Sequence, residues 1–212
     1  MPSSGKPQLF IITGSNGAGK STLKQALLPP KFSNLEIFDG DIFYTKKSTE
    51  FYKQHGSSKE AKKQANESLE EHFRALITHH ITNQLDFAYE GHFTGAGAWA
   101  TPQQFKTSGF NIHLIFCGLK DVVKSIQRVE IRFKKGGFHV TPLDIGNNFY
   151  GNMQMLNKNF RMFDSIEVFD TSDSILPICH LSKGEAYSPL QNVDIPLWFK
   201  EGMPELYSLL IR

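Results

Sequence analysis

Gly14-Ser15-Asn16-Gly17-Ala18-Gly19-Lys20-Ser21 fills every fixed position of the G-x-x-x-x-G-K-S phosphate-binding pattern. The apolar run Leu9-Phe10-Ile11-Ile12 precedes it and reads as a buried strand. Thr22-Leu23-Lys24-Gln25-Ala26-Leu27-Leu28 follows, reads as a helix, and stops at Pro29-Pro30. Strand, glycine-rich turn and helix in that order is the context the pattern requires. Gly14, Gly17 and Gly19 permit positive φ and close approach of oxygens to the main chain. Successive N–H groups then converge as an anion nest, reinforced by the partial positive charge of the helix start. Lys20 is expected to reach the β- and γ-phosphates, and the Ser21 hydroxyl to ligate Mg²⁺. The nucleotide-binding set is therefore Gly14, Ser15, Asn16, Gly17, Ala18, Gly19, Lys20, Ser21 and Thr22.

Working outward, apolar runs of strand length recur at Leu35–Phe38, Phe87–Tyr89, Ile112–Phe116 and Ile166–Phe169, with helical patterns between them. This alternation predicts an α/β fold: a mostly parallel sheet covered on both faces by helices, with a small lid and with binding residues at the carboxyl ends of the strands. Residues 59–83 read as a long helix with Leu69, Phe73, Leu76 and Ile77 on its buried face. Tyr44–Ser58 is polar and reads as a loop near the substrate or a flexible connection. Lys183-Gly184 marks a hairpin turn, and the apolar tail around Trp198, Phe199 and Leu206 is expected to pack on the main body. The chain thus reads as one domain, residues 1–212, with a core of about 8–175 and an extension from 176.

Composition excludes little. The 212 residues are 40% apolar, enough for a core, and the formal charge of +2 demands no polyanionic partner. Cys117 and Cys179 read as buried small hydrophobes in a reducing compartment. No run approaches a membrane span. A cytoplasmic protein is the expectation.

Two acidic strand ends stand beside the loop in this arrangement. Leu35–Phe38 leads into Asp39-Gly40-Asp41. Asp41, further out, is the candidate base for an attacking hydroxyl; Asp39 orients or caps. Phe87-Ala88-Tyr89 ends in Glu90, the metal-side candidate, which would hold Mg²⁺ through water. Thr94, Gly95 and Gly97 follow in a loop that could touch substrate. Lys124, Arg128, Arg132 and Lys135 line one helical face and run into Gly136-Gly137, which reads as a hinge under a basic lid. Val122, Ile126, Val129 and Phe133 form the apolar stripe of the same helix. His79, His80, His113 and His139 lack metal-ligand spacing.

The chain has neither an LSGGQ signature nor an Asn-Lys-x-Asp guanine-reading motif. It resembles the zeta toxin family, in the branch labelled predicted ABC-type ATPase. The resemblance rests on the loop through Leu23, Phe38-Asp39-Gly40-Asp41, Glu90-Gly91, Arg128 and Arg132, Gly136 to Val140 with Pro142, and Asp164, in family order over about residues 8–175. It implies a nucleoside-monophosphate-kinase-like fold and phosphorylation of a UDP-activated amino sugar by ATP or GTP with Mg²⁺. It also implies a phosphate lysine at Lys20, a base at Asp41, a substrate-side acid at Glu90 and a lid arginine at Arg128, with an antitoxin-like protein as partner. Glu90 therefore carries two readings, metal and substrate.

Two departures bear on activity. His139 is displaced by one position from the family's Gly-Gly-His, although it stays a substrate-side candidate. Asn147-Asn148 stands where paired arginines precede an aromatic, which removes two charges from the transferring phosphoryl group; Arg132 or Arg161 would have to compensate. The reaction expected is transfer of the ATP γ-phosphoryl group to a hydroxyl of a small molecule, with Lys20, Asp41, Arg128 and Arg132 as the catalytic set. Its alternatives are a weakly hydrolysing module that acts through a protein partner and, ranked last, a nucleic-acid 5′-end kinase.

Overall fold

A computed structural model describes residues 5–137 and 140–211. Seven strands form one sheet in the order β2-β3-β1-β4-β5-β6-β7. They are β1 (Gln8–Gly14), β2 (Ile37–Asp39), β3 (Phe87–Glu90), β4 (Asn111–Gly118), β5 (Ser165–Asp170), β6 (Leu176–Ser182) and β7 (Glu185–Tyr187). The first five are parallel, and β6 and β7 add antiparallel at one edge. Lys183 at φ 53° and Gly184 at φ 83° make the expected hairpin turn.

The helices are α1 (Lys20–Leu27), α2 (Gly40–His55), α3 (Ser58–Asn83), α4 (Ala100–Thr107), α5 (Val122–Lys134), α6 (Pro142–Asn159), α7 (Leu197–Gly202) and α8 (Pro204–Tyr207). Most of them bury apolar side chains in one large cluster on one side of the sheet. It runs from Leu9 and Ile11 through Phe105 and Leu156 to Trp198, Phe199 and Leu206. The tail packs as expected. Trp198 donates its indole N–H to Asp170 at 2.6 Å and lies so close to Gly118 that a Cβ there would meet the ring at 2.2 Å.

Three expectations need correction. First, the opposite face of the sheet is not covered in the same way. Its smaller cluster (Phe10, Ile12, Leu28, Ile37, Ala88 and Ile115) is closed by the end of α1 and Phe32. Beyond it, that face carries polar side chains paired with one another: His113 bridges Gln8 and Ser165 at 2.6 and 2.7 Å, and His180 pairs with Glu167. Strand β5 alternates in burial throughout and β4 does so over its first four residues, so that part of the face tolerates water and needs no helix.

Second, residues 44–55 are helical. Asp39 caps α2 by accepting from the amides of Asp41 and Ile42, and Gly56 at φ 67° closes the helix. No α2 residue is buried, so the helix carries no apolar period for a sequence reading to find. Third, the predicted stripe of α5 holds only in part: Val129 is buried and Val122 packs on the core, but Phe133 is half exposed and the polar Ser125 is fully buried. Both cysteines are buried, and burial pushes each thiol up to about 12.

Candidate functional site

The loop between β1 and α1 has the geometry its glycines imply, with φ of 135° at Gly14, 72° at Gly17 and 78° at Gly19. At Gly14 a side chain is excluded outright: its Cβ would lie 2.0 Å from the carbonyl oxygen of Cys117.

Every carbonyl of the loop is bonded. Lys20 donates to Gly14 and Ser15 at 3.1 and 3.0 Å. Ser125 donates to Asn16 at 2.5 Å, Arg128 to Gly17 at 3.2 Å and Thr171 to Ala18 at 2.8 Å. Gly19 accepts from the amides of Thr22 and Leu23. By contrast, the amides of Gly17, Gly19, Lys20 and Ser21 find no acceptor among the described residues, and the buried Ser15 hydroxyl has no partner either. The Lys20 and Ser21 amides are free as the first donors of α1, and those of Gly17 and Gly19 turn to the same side. A row of unpaired donors beside an ammonium group is a site built for an anion.

The loop floors a cleft of about 410 Å³ that Asp41, Glu90, Arg128 and Arg132 also line. Asp39 and Glu90 are register partners at the ends of β2 and β3. The Ser21 hydroxyl lies 3.0 Å from Glu90 and 3.4 Å from Asp39, and Lys24 pairs with Asp39 at 2.9 Å. Burial would raise the Asp39 carboxyl, but hydrogen bonds from Lys24 and the Ile42 amide hold it below its usual range. Burial raises Glu90, with Lys20 at 3.8 Å opposing. Burial also pushes the Lys20 ammonium below its ordinary value, and the Glu90 carboxylate pulls it back.

Hydroxyl and carboxylate oxygens in this arrangement suit Mg²⁺, a hard cation that keeps several waters and takes few protein ligands. No group of three or more His, Cys, Asp and Glu gathers as a metal site among the described residues.

The remaining predicted residues divide. Arg132 lines the cleft. Arg128 reaches it as a brace: its guanidinium donates to Gly17 and, at 2.6 Å, to Ser172. Lys124 pairs with Asp173 at 2.9 Å, away from the loop. Thr94 sits against Gly151 on α6 and does not line the cleft. His139 lies outside the described residues.

The sequence reading missed the residues that hold the loop from behind. Ser125 and Thr171 stand 109 and 153 positions from their partners, so no local pattern reveals them. Asn148 donates to the Asn16 side chain, and Asn152, fully buried, accepts from Thr13 and from the Phe93 amide. His92 hydrogen-bonds to the Gly14 backbone; its burial and the charge of Lys20 bring its pKa down to about 3.

Beyond Glu90 and His92 the cleft meets a second pocket of about 330 Å³, walled by Phe38, Phe73, Tyr89 and Phe93. The phosphate-loop cleft thus opens onto a second, largely aromatic pocket, with Glu90 and His92 shared by the two.

Comparison with known proteins agrees with this architecture. A structure of the PezAT chromosomal toxin-antitoxin system of Streptococcus pneumoniae matches with a TM-score of 0.59 at 21% identity, over 99% of this chain and 90% of that one. A complex of AvrRxo1-ORF1 and -ORF2 with ATP matches with a TM-score of 0.68 at 15% identity, over 96% of this chain. The present chain spans 65% of that one. A structure of the Pnkp1/Rnl/Hen1 RNA repair complex matches at 0.52 and 16% identity, over 74% of this chain and 47% of that one. These likenesses establish a shared fold. No curated protein matches the sequence. The family model described as zeta toxin matches residues 1–177. With its phosphate loop, strand-end acids and parallel sheet in that family's order, the chain belongs to the zeta toxin family.

Proposed function

We propose that this protein is a phosphotransferase that moves the γ-phosphoryl group of ATP, with GTP as the alternative donor, to a hydroxyl of a small molecule. The observation that carries the proposal is the inverted loop: its carbonyls are bonded and its amides at Gly17, Gly19, Lys20 and Ser21 are unpaired beside a buried lysine. The β- and γ-phosphates occupy that row. Ser21 would be the protein ligand for Mg²⁺, and Asp39 and Glu90, beside its hydroxyl, would hold the ion's waters. The ion, when bound, would neutralise charge on the transferring group.

Asp41, in the first turn of α2, takes the proton of the acceptor hydroxyl. The acceptor oxygen bonds to the γ-phosphorus while the bond to the β–γ bridging oxygen breaks, and ADP leaves. Arg132 stabilises the developing charge, and Arg128 keeps the loop in register. In labelling assays with γ-labelled ATP and a metabolite extract, Asp41→Asn should keep ATP binding and lose transfer at least a hundredfold. An unchanged transfer rate would remove Asp41 as the base.

An antitoxin-like protein is the proposed partner, on the strength of family membership and of the toxin-antitoxin system with the same fold. Capture of such a protein, with no phosphorylated metabolite, would favour action through that partner. A nucleic-acid end fits less well, because Lys124 and Arg128 of the basic helix are already engaged. Treatment of the chain as one domain rests on the core its tail shares with the sheet. A cytoplasmic location rests on the two free buried thiols; no described helix is long and apolar enough to cross a membrane.

A further inference from the structure

The far end of the α2–α3 pair holds the protein's excess positive charge. Residues 46–63 carry six lysines against two glutamates, a net charge of +4, whereas the whole chain carries only +2. Lys46 and Lys53 stand seven residues apart and share a face of α2; Lys59, Lys62 and Lys63 share a face of α3 by the same periodicity. Lys47 pairs with Glu50 at 2.9 Å, and Lys63 lies 4.0 Å from Glu67. Lys46, Lys53, Lys59 and Lys62 are exposed and make no ion pair among the described residues.

Helix α2 packs along α3 but buries none of its own residues, and over this half α3 buries only the small Ala61 and Ala65. Of the large apolar side chains at this end, Tyr52 is the exposed one, at 53%. A protein partner calls for a different surface: protein interfaces are built on buried apolar anchors and are depleted in lysine. Unpaired ammonium groups, as point charges on flexible stems, suit a phosphate backbone instead. A lone exposed aromatic ring on the same helix suits the face of an unpaired base.

We propose that this end of the helix pair is a docking surface for a single nucleic-acid strand, held through its phosphates by Lys46, Lys53, Lys59 and Lys62, with a base against Tyr52. Such a surface reads charge and base faces rather than sequence. The strand is an anchor and not the acceptor. Helix α2 rises about 1.5 Å per residue, which puts His55 roughly 20 Å from Asp41 at the cleft. The proposal does not depend on the kinase reading.

The test is fluorescence anisotropy of a labelled single-stranded RNA of about 20 nucleotides with the full chain, from about 50 to about 200 mM salt. With four phosphates neutralised, the logarithm of the association constant should fall against that of salt with a slope of about −3. The combined variant Lys46→Gln, Lys53→Gln, Lys59→Gln, Lys62→Gln keeps helix propensity and should bind at least tenfold more weakly, with a flat slope. A control of equal net charge, Lys6→Gln, Lys31→Gln, Lys158→Gln, Lys183→Gln, should bind within about twofold of wild type. Tyr52→Ala should weaken binding at least threefold at an unchanged slope. Poly-glutamate, the probe for an acidic protein, should bind at least tenfold more weakly than the RNA. The proposal is overturned if wild type binds no RNA at low salt or shows a flat slope, results that stand even if a variant misfolds. It is overturned equally if both combined variants lose affinity alike, if Tyr52→Ala binds as wild type does, or if poly-glutamate matches the RNA. Calorimetry of Mg-ATP on the hairpin variant should match wild type, so the fate of the kinase proposal is read separately.

Discussion

Asn148 of α6 donates its side-chain amide to the Asn16 side chain of the phosphate loop at 2.8 Å. One turn on, Asn152 accepts from the Thr13 hydroxyl at 3.2 Å and the Phe93 amide at 2.6 Å, and its own amide reaches the Asn148 carbonyl. One face of α6 therefore fixes the end of β1, the loop and the segment that follows β3 relative to one another. Where the resemblance implies paired arginines, this chain has a neutral brace. In the proposed reaction, charge on the transferring phosphoryl group would then be left to Lys20, Arg132 and the metal.

Replacement of Asn152 by leucine keeps the volume and removes the acceptor. Two buried donors, the Thr13 hydroxyl and the Phe93 amide, lose their partner, at about 1–3 kcal/mol for each orphaned group. The urea midpoint of Asn152→Leu should fall accordingly, and Mg-ATP binding should weaken with it. An unchanged midpoint would mean that the brace is incidental.

Gly14 and Gly56 both sit at positive φ, in different surroundings. Gly56→Ala meets open space, so it should lose about 1–2 kcal/mol from backbone strain and keep nucleotide binding. Gly14→Ala drives a methyl group into the Cys117 carbonyl, which no side-chain motion relieves. ATP binding by calorimetry should be abolished in Gly14→Ala alone; equal behaviour of the two variants would contradict the loop geometry.

How much of this was legible depends on distance along the chain. The five parallel strands were found because each is a short apolar run bounded by turn residues, and the loop because its spacing is strict. The long helix α3 announced itself through Phe73 and Ile77. Helix α2 did not, since it buries nothing and its only signals are its caps, Asp39 and Gly56. The open polar face of the sheet was hidden because Gln8, His113 and Ser165 become neighbours only through parallel pairing across a hundred residues. The loop-facing roles of Ser125 and Thr171 were invisible for the same reason.

His92 makes stability depend on pH in a defined direction. Burial first, and the Lys20 charge second, hold its folded pKa near 3, whereas the unfolded residue titrates near 6.5. Between those values the unfolded chain binds more protons, so this contribution is fully present above about pH 6.5 and is lost as pH falls toward 3. From pH 7.5 to pH 5, wild type should lose about 2 kcal/mol more than His92→Gln in urea denaturation. Glu90, raised by burial, acts with the opposite sign but is common to both proteins. Parallel pH profiles would show that His92 is not the group responsible.

The cradle itself is tested most directly by calorimetry of Mg-ATP on wild type and Lys20→Ala. Lys20 is buried with its ammonium on the Gly14 and Ser15 carbonyls, so its removal takes away both the charge and the clamp on the loop. Wild type should give a saturable heat with one site, and Lys20→Ala should bind at least a hundredfold more weakly while still unfolding cooperatively. No saturable heat in wild type, or equal affinity in the two proteins, would contradict a triphosphate site at this loop.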